Sequence, residues 1–339
     1  MTARVGTRAI GVGLALAAVG AIGAPPALPA PAPKVARVAI LGPGYPPNVE
    51  AFREGLRERG WVEGQNLLVE TRFAEWHYER LPGLAAELVR WHPDVLYTNT
   101  TPGVLAAQDA TRTLPIVGGA AGQLVEKGFV TSLSKPGGNI TGLTLIDAEL
   151  DAKRLQLLKE VLPRLRQVAV LHHPGNTRYA ADRVPREEAA RNLGLRLTDV
   201  EARDDADLGA AFAAMTRGGA EALLVINDAA LDAIQGRIME LAMKDRLPVV
   251  SELPEWAEAG ALLAYGPDSN AMFRRAAGYV DRILRGATPA SLPVERPDTF
   301  TLMINLKTAT ALGLTLPPAL VARADQAIQY VIPERRRGA

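Results

Sequence analysis

The chain has 339 residues, with 38 Lys and Arg against 37 Asp and Glu for a formal charge of +1, four histidines and no cysteine. The lack of cysteine excludes disulfides, thiolate catalysis, Cys metal ligation and a lipid anchor on a lipobox cysteine. Near-neutral, interspersed charge gives no electrostatic footprint for nucleic acid or for an anionic membrane surface.

In chain order, the first segment has an export pattern. Arg4 and Arg8 give a positive start, Ile10 to Gly23 form an uncharged apolar run, and Ala24 to Pro33 are small residues and prolines. That order is expected of a secretory signal peptide, here residues 1–32. The run falls short of the ~20 apolar residues of a membrane helix, so an uncleaved anchor is disfavoured. The working protein is expected to be soluble and periplasmic, with a solvated tail at 331–339 carrying Arg335 to Arg337.

Behind this segment a strand–helix alternation begins. Arg37–Leu41 is a short β-branched run suited to a buried parallel strand, and Asn48–Gly60 follows with helical spacing at Val49, Phe52 and Leu56. Leu67–Val69 is the next strand, Leu81–Trp91 a helix, Asp94–Thr98 a strand, Thr101–Thr111 a helix and Pro115–Gly118 a strand. The turn Lys135-Pro-Gly-Gly-Asn139 and a helix over Leu155–Leu162 come next, and the alternation then restarts. Strands are expected at Gln167–Leu171, Leu195–Val200, Glu221–Ile226 and Pro248–Ser251, with helices at Glu187–Leu193, Leu208–Arg217 and Leu231–Asp245 between them. Ala261–Tyr265, a long helix over Ser269–Leu284 and a Pro-punctuated stretch from Pro289 to Pro297 complete the pattern. Such alternation predicts an α/β fold of two Rossmann-like lobes with parallel sheets. Lobe one is expected to hold 33–144 plus 268–290, and lobe two 145–267 plus 291–330. The chain would pass between them near Gly142–Asp147, Pro267 and Pro289–Pro297, making a three-crossover hinge and a cleft that closes on a ligand.

Ligands of parallel α/β sheets bind outside the carboxyl ends of the strands. That rule nominates Gly42-Pro-Gly-Tyr45, Asn99-Thr-Thr-Pro102 and Gly119–Gln123 on lobe one. On lobe two it nominates His172-His-Pro174 with Tyr179, Asn227-Asp228 and Ser251-Glu252. Thr101 as N-cap with Pro102 at the first helical position would present backbone amides to a carboxylate, or simply cap a helix. Asp228 and Glu252 could hold an ammonium group, or Asp228 could only cap the helix behind it. Tyr45, Tyr179 and Trp256 could stack on a planar ligand or serve as packing. The candidate ligand-binding set is Tyr45, Asn99, Thr100, Thr101, Ala121, Gln123, Tyr179, Asn227, Asp228 and Glu252.

Other chemistries find less support. Pro46 and Pro47 stand where a dinucleotide loop must enter its helix. His172 and His173 are adjacent and would point to opposite faces of a strand. Ser251 has no G-x-S-x-G elbow around it. No catalytic residue, metal or cofactor is expected.

Leu56-Arg-Glu-Arg-Gly-Trp-Val-Glu-Gly-Gln-Asn66, Leu81-Pro-Gly-Leu-Ala-Ala-Glu-Leu88 and Lys135-Pro-Gly-Gly-Asn-Ile-Thr-Gly-Leu143 are distinctive segments, and Lys153-Arg-Leu-Gln-Leu-Leu-Lys159, Tyr265-Gly-Pro-Asp268 and Met303-Ile-Asn-Leu-Lys-Thr-Ala309 through Pro317-Pro318 add to them. On these segments the chain, from about Arg37 to Gln329, resembles the substrate-binding proteins of ABC importers, in the group that handles tryptophan and other aromatic amino acids. The resemblance implies a type I periplasmic-binding fold, no cofactor, and delivery of a small molecule to a membrane ABC permease. Two cleft loops depart from the family pattern: Ala120-Ala-Gly-Gln-Leu124 replaces an Asp-Pro step, and His172-His-Pro-Gly-Asn176 replaces an Asn-Pro pair. The expectation is therefore a monomeric, non-enzymatic solute-binding protein for an amino acid or other small carboxylate. A ligand-sensing module feeding a membrane receptor, and an exported hydrolase using Ser251, are the alternatives.

Overall fold

The computed structural model describes residues 1–2, 35–45, 48–145 and 147–329. The expected signal segment, Pro46 and Pro47, and the 331–339 tail lie outside the described residues.

Strands β1 (Ala36–Gly42), β2 (Leu67–Phe73), β3 (Val95–Thr98), β4 (Ile116–Gly122) and β5 (Ile140–Leu145) pair in the order β2-β1-β3-β4-β5. All of these pairings are parallel. Helices α1 (Val49–Glu58), α2 (Leu81–Arg90) and α3 (Thr101–Ala110) connect them. Period-two alternation gives this sheet two buried faces. Val38, Ile40, Val95 and Tyr97 pack with Phe52 and Leu56 of α1, whereas Ala39, Leu41 and Leu96 pack with Leu81, Leu88 and Val104 on the other side. Phe52 stacks on Tyr97 at 4.0 Å between ring centroids.

The second sheet contains β6 (Gln167–His172), β7 (Arg196–Glu201), β8 (Ala222–Val225), β9 (Val249–Ser251), β10 (Leu263–Pro267), β11 (Phe300–Asn305) and β12 (Gln326–Ile328). Their order is β12-β11-β10-β9-β8-β6-β7. One pairing, β10 with β11, is antiparallel, because β11 enters from the opposite end after the chain has revisited the first sheet. Helices α4 (Asp147–Val161), α5 (Thr177–Asn192), α6 (Asp205–Arg217), α7 (Ala229–Ala233), α8 (Gln235–Lys244) and α9 (Pro254–Glu258) accompany this sheet. Its two faces are buried under Leu155, Leu158 and Ala190 on one side and Phe212, Met215, Ile238 and Trp256 on the other.

Helix α10 (Ser269–Leu284), the Ser269–Leu284 helix read from the sequence, returns the chain to the first sheet. Its Met272, Phe273, Ala276 and Tyr279 pack with Val38, Ile40 and α1. The following Leu292 to Glu295 stay there: Thr141 Oγ1 donates to Leu292 O at 2.6 Å and Thr144 N to Glu295 O at 2.9 Å. Beyond β11, α11 (Leu306–Leu312) and α12 (Pro318–Ala322) complete the second lobe. The chain thus passes between the sheets after Leu145, after Pro267 and between Glu295 and Phe300.

Several elements exceed their sequence reading. β5 is a full strand in which Gly142 has φ 131°, and an ideal Cβ there would lie 2.0 Å from Gly118 O. Only glycine fits this approach of two backbones. α5 begins at Thr177, with Pro185 inside it, and the helix expected over Leu231–Asp245 is broken into α7 and α8 at Ile234.

Candidate functional site

The carboxyl ends of both sheets face a common cavity of about 230 Å³. Lobe one contributes Tyr45 and Asn48, Trp76 and Tyr78, Asn99 to Pro102, and Met272 and Phe273 of α10. Lobe two contributes Asn176, Asn227, Asp228, Asp232, Gln235, Glu252, Glu255 and Trp256. Leu145 and Pro267, at two of the passages between sheets, also line it. Of the sequence-nominated residues, Tyr45, Asn99, Thr100, Thr101, Asn227, Asp228 and Glu252 meet on this lining.

Three nominated residues stand elsewhere. Ala121 is fully buried beside Val104 and Leu124 in the core under the first sheet. Gln123 sits at φ 57° and donates from Nε2 to Asp182 Oδ1 of α5, a bond between the lobes outside the cavity lining. Tyr179 is stacked on His172 at 3.5 Å, with the Arg186 guanidinium 4.7 Å from its ring centre, and packs in the core of the second lobe. Burial, with Asp199 nearby, pushes the Tyr179 hydroxyl well above its ordinary range.

The first turn of α3 is offset by one residue from the sequence reading. Thr100 is the N-cap, its Oγ1 accepting from Gly103 N at 3.2 Å, and Thr101 and Pro102 are the first two helical residues. Thr101 cannot cap because its Oγ1 accepts from Gly122 N at 3.0 Å, which ties α3 to the end of β4. Pro102 has no N–H and the Gly103 and Val104 amides bond to Thr100, which leaves the Thr101 amide, on a residue of the cavity lining, as the first-turn donor outside these bonds.

Asp228 has the cap role and a second one. Its Oδ1 accepts from Ala230 N at 2.9 Å as the N-cap of α7, and both oxygens lie 3.0 Å from the Tyr78 hydroxyl across the cleft. Glu252 is buried against Arg154 of α4 through an ion pair of 3.3 Å. Arg154 also donates to Tyr265 O at 2.7 Å and to Asp151 at 2.7 Å, and Arg186 holds the other Asp151 oxygen at 2.7 Å. A charge in so dry a place persists only when paired. Asp232, one turn beyond Asp228, accepts from the Trp256 indole N–H at 2.7 Å. Burial, reinforced by the nearby Asp228, Glu252 and Glu255 carboxylates, pushes its carboxyl up to about 8 against the opposing bond from Trp256.

The largest omission of the sequence reading is the loop between β2 and α2. Glu75 and Trp76 have φ of 52° and 68°, a strained left-handed pair. Backbone bonds Ala74 N to Gly42 O at 3.0 Å and Trp76 N to Pro43 O at 2.8 Å staple this loop to the β1 turn. The Trp76 ring lies on Gly44, where an ideal Cβ would fall 2.2 Å from it. The loop thereby presents Trp76 and Tyr78 to the cavity. Extending β2 to Phe73 would have exposed it, since the strand-end rule then nominates Ala74 to Tyr78.

The catalytic alternative finds its parts dispersed. Ser251 is wholly buried and outside the lining, His172 is stacked on Tyr179, and burial lowers the His172 pKa. His173 turns the other way, its ring 5.1 Å from Tyr78 and its Nδ1 accepting from Gly175 N at 3.0 Å.

A family model described as ABC transporter substrate binding protein matches residues 34–328. The chain belongs to this family. As a member it is a substrate-binding component that captures a small molecule for an ABC transporter, and its architecture is the type I periplasmic-binding fold. A tyrosine-binding protein of Clostridioides difficile is 24% identical over 267 residues, 78% of this chain and 76% of that protein. A conserved domain protein from Vibrio cholerae superposes with a TM-score of 0.81 at 29% identity, covering 87% of this chain and 100% of the other. An ABC domain of Streptococcus pneumoniae in complex with L-Trp gives a TM-score of 0.80 at 21% identity, covering 86% and 99%.

Proposed function

We propose that this family member works outside the cytoplasm and takes an aromatic amino acid between its lobes. The ligand's aromatic body lies against Trp76, Tyr78 and Phe273, its carboxylate meets the Thr101 amide at the start of α3, and its ammonium faces Asp228 and Glu252. The carrying observation is the shared cavity, walled by aromatic side chains from lobe one and by carboxylates at strand and helix ends of lobe two. The tyrosine-binding and L-Trp-bound relatives support the choice of ligand class. The passages after Leu145, after Pro267 and between Glu295 and Phe300 act as the hinge, and Tyr78–Asp228 is a contact of the closed state. Closure selected by the ligand is what the permease would read. A non-enzymatic role fits a solute-binding family whose buried Ser251 lies off the lining.

A thermal-shift series with the twenty amino acids tests this reading. A ligand binding only the folded state raises the melting temperature by mass action, so tyrosine, tryptophan or phenylalanine should shift it while aspartate and lysine do not. A shift with polar amino acids alone would overturn the assignment of the aromatic wall.

A further inference from the structure

The strand-end rule nominates Gln123 as a ligand contact, yet the residue stands off the cavity lining and reaches the other lobe instead. Its backbone is left-handed, at φ 57°, a conformation that residues other than glycine keep only where their surroundings impose it. The surroundings here do so. The register of β4 against β5 shifts between Gly118 and Ala121, and the chain beyond the shift is held residue by residue. Thr144 Oγ1 donates to Ala121 O at 2.9 Å, Gly122 N donates to Thr101 Oγ1 at 3.0 Å, and Lys127 N donates to Gln123 O at 3.0 Å. From this fixed base the Gln123 side chain crosses to α5, where Nε2 donates to Asp182 Oδ1.

The receiving side is equally firm. Asp182 is 4% exposed. It lies three residues after Tyr179 and four before Arg186, so the three share one face of α5. Tyr179 is packed in the core of the second lobe, and Arg186 is tied to Asp151 at 2.7 Å. An amide bonded to a carboxylate in so buried a place is a strong, directional contact. It joins two rigid mounts on different lobes, so it can exist only while the lobes are together.

We propose that Gln123 is a positioning residue for binding: its bond to Asp182 latches the closed lobes and raises the affinity of the ligand in the cavity without touching it. This rests on the closing cleft proposed above and goes beyond it, because it places part of the binding energy outside the cavity. Apparent affinity scales with the fraction of molecules in the binding-competent state, so the latch acts on every ligand by the same factor.

The test starts from Gln123→Gly, which removes the side chain and suits the left-handed backbone, since glycine adopts it readily. In calorimetric titration the dissociation constants for tyrosine and tryptophan should both rise about ten-fold, by the same factor. The ligand-free melting temperature should stay equal or rise. A merely structural role would lower that temperature and leave affinity unchanged, and a direct ligand contact would change the two constants unequally; either result would overturn the latch. Gln123→Glu, which sets a like charge against Asp182, should weaken binding further than Gln123→Gly. Should Gln123→Gly fail to fold, Gln123→Asn replaces it, because Asn tolerates the same backbone and stops one methylene short.

A second measurement needs no ligand. The chain has no cysteine, and a Cβ added at Gly83 of α2 or at Gly209 of α6 meets nothing within 4 Å. Dyes on Gly83→Cys and Gly209→Cys therefore report the separation of the lobes by single-molecule energy transfer. The closed-to-open ratio should fall about ten-fold in Gln123→Gly, and an unchanged ratio would overturn the latch. Where the ligand-free protein shows no closed form, the titrations decide alone. If neither amino acid binds but the ratio falls, the latch stands and the amino-acid reading falls. If neither binds and the ratio is unchanged or no closed form exists, both fall.

Discussion

Asp228 joins three jobs in one carboxylate: it caps α7, receives the Tyr78 hydroxyl across the cleft and, in the proposed complex, faces an ammonium group. Asp228→Asn separates them. Asn caps a helix as well as Asp does, so the melting temperature should hardly move. Loss of a charged hydrogen bond, about 1.5–3 kcal/mol, should weaken an ammonium ligand roughly ten- to hundred-fold in a titration. Unchanged affinity would leave Asp228 with its structural roles alone. Asp232 makes a different prediction. Its carboxyl is raised from 3.8 to about 8 in the folded protein, so the folded state holds the proton more tightly than the unfolded chain. The resulting stability is complete below about pH 4 and is lost as pH rises through 8. Asp232→Asn keeps an acceptor for Trp256 and cannot ionise, so wild type should lose a few degrees of melting temperature relative to the variant between pH 5 and 9. Parallel melting curves would contradict the burial argument. Which of two adjacent threonines caps α3 was not legible in the sequence, because the choice depends on Gly122 N reaching Thr101 from β4.

At the scale of elements, the buried Arg154–Asp151–Arg186–Glu252 cluster joins α4, α5 and the loop after β9, with Tyr265 O of β10 as a further partner. It fixes one cavity carboxylate beside two of the three passages between sheets. Arg154→Met should remove the cation paired with Glu252 and one of the two held by Asp151, and cost about 3–5 kcal/mol, a melting-temperature loss of roughly 10 °C in a thermal scan. Retention of wild-type stability would mean that the cluster contributes little net. Most strands and α10 were legible because buried parallel strands write continuous apolar runs and α10 has a clear apolar stripe. β5 reads as a crossing because Gly142 interrupts its pattern, and β11 and β12 have no counterpart among the expected strands. The Trp76–Tyr78 loop is not legible in the sequence because Glu70, Thr71 and Arg72 of β2 are polar, so the apolar run ends at Val69.

The whole molecule follows from two α/β units whose strands point their carboxyl ends at one space, with α10 returning to the first sheet so that several passages join the lobes. The repeat made that architecture legible, whereas the side chains that span the gap, Tyr78 to Asp228 and Gln123 to Asp182, depend on how the lobes meet. Capture of one aromatic amino acid in that gap is the central claim. Isothermal titration of the purified protein with tyrosine and tryptophan tests it most directly. The expected result is saturable binding of one ligand per chain, with a negative heat-capacity change from burial of the ring. No saturable heat with either amino acid would contradict it.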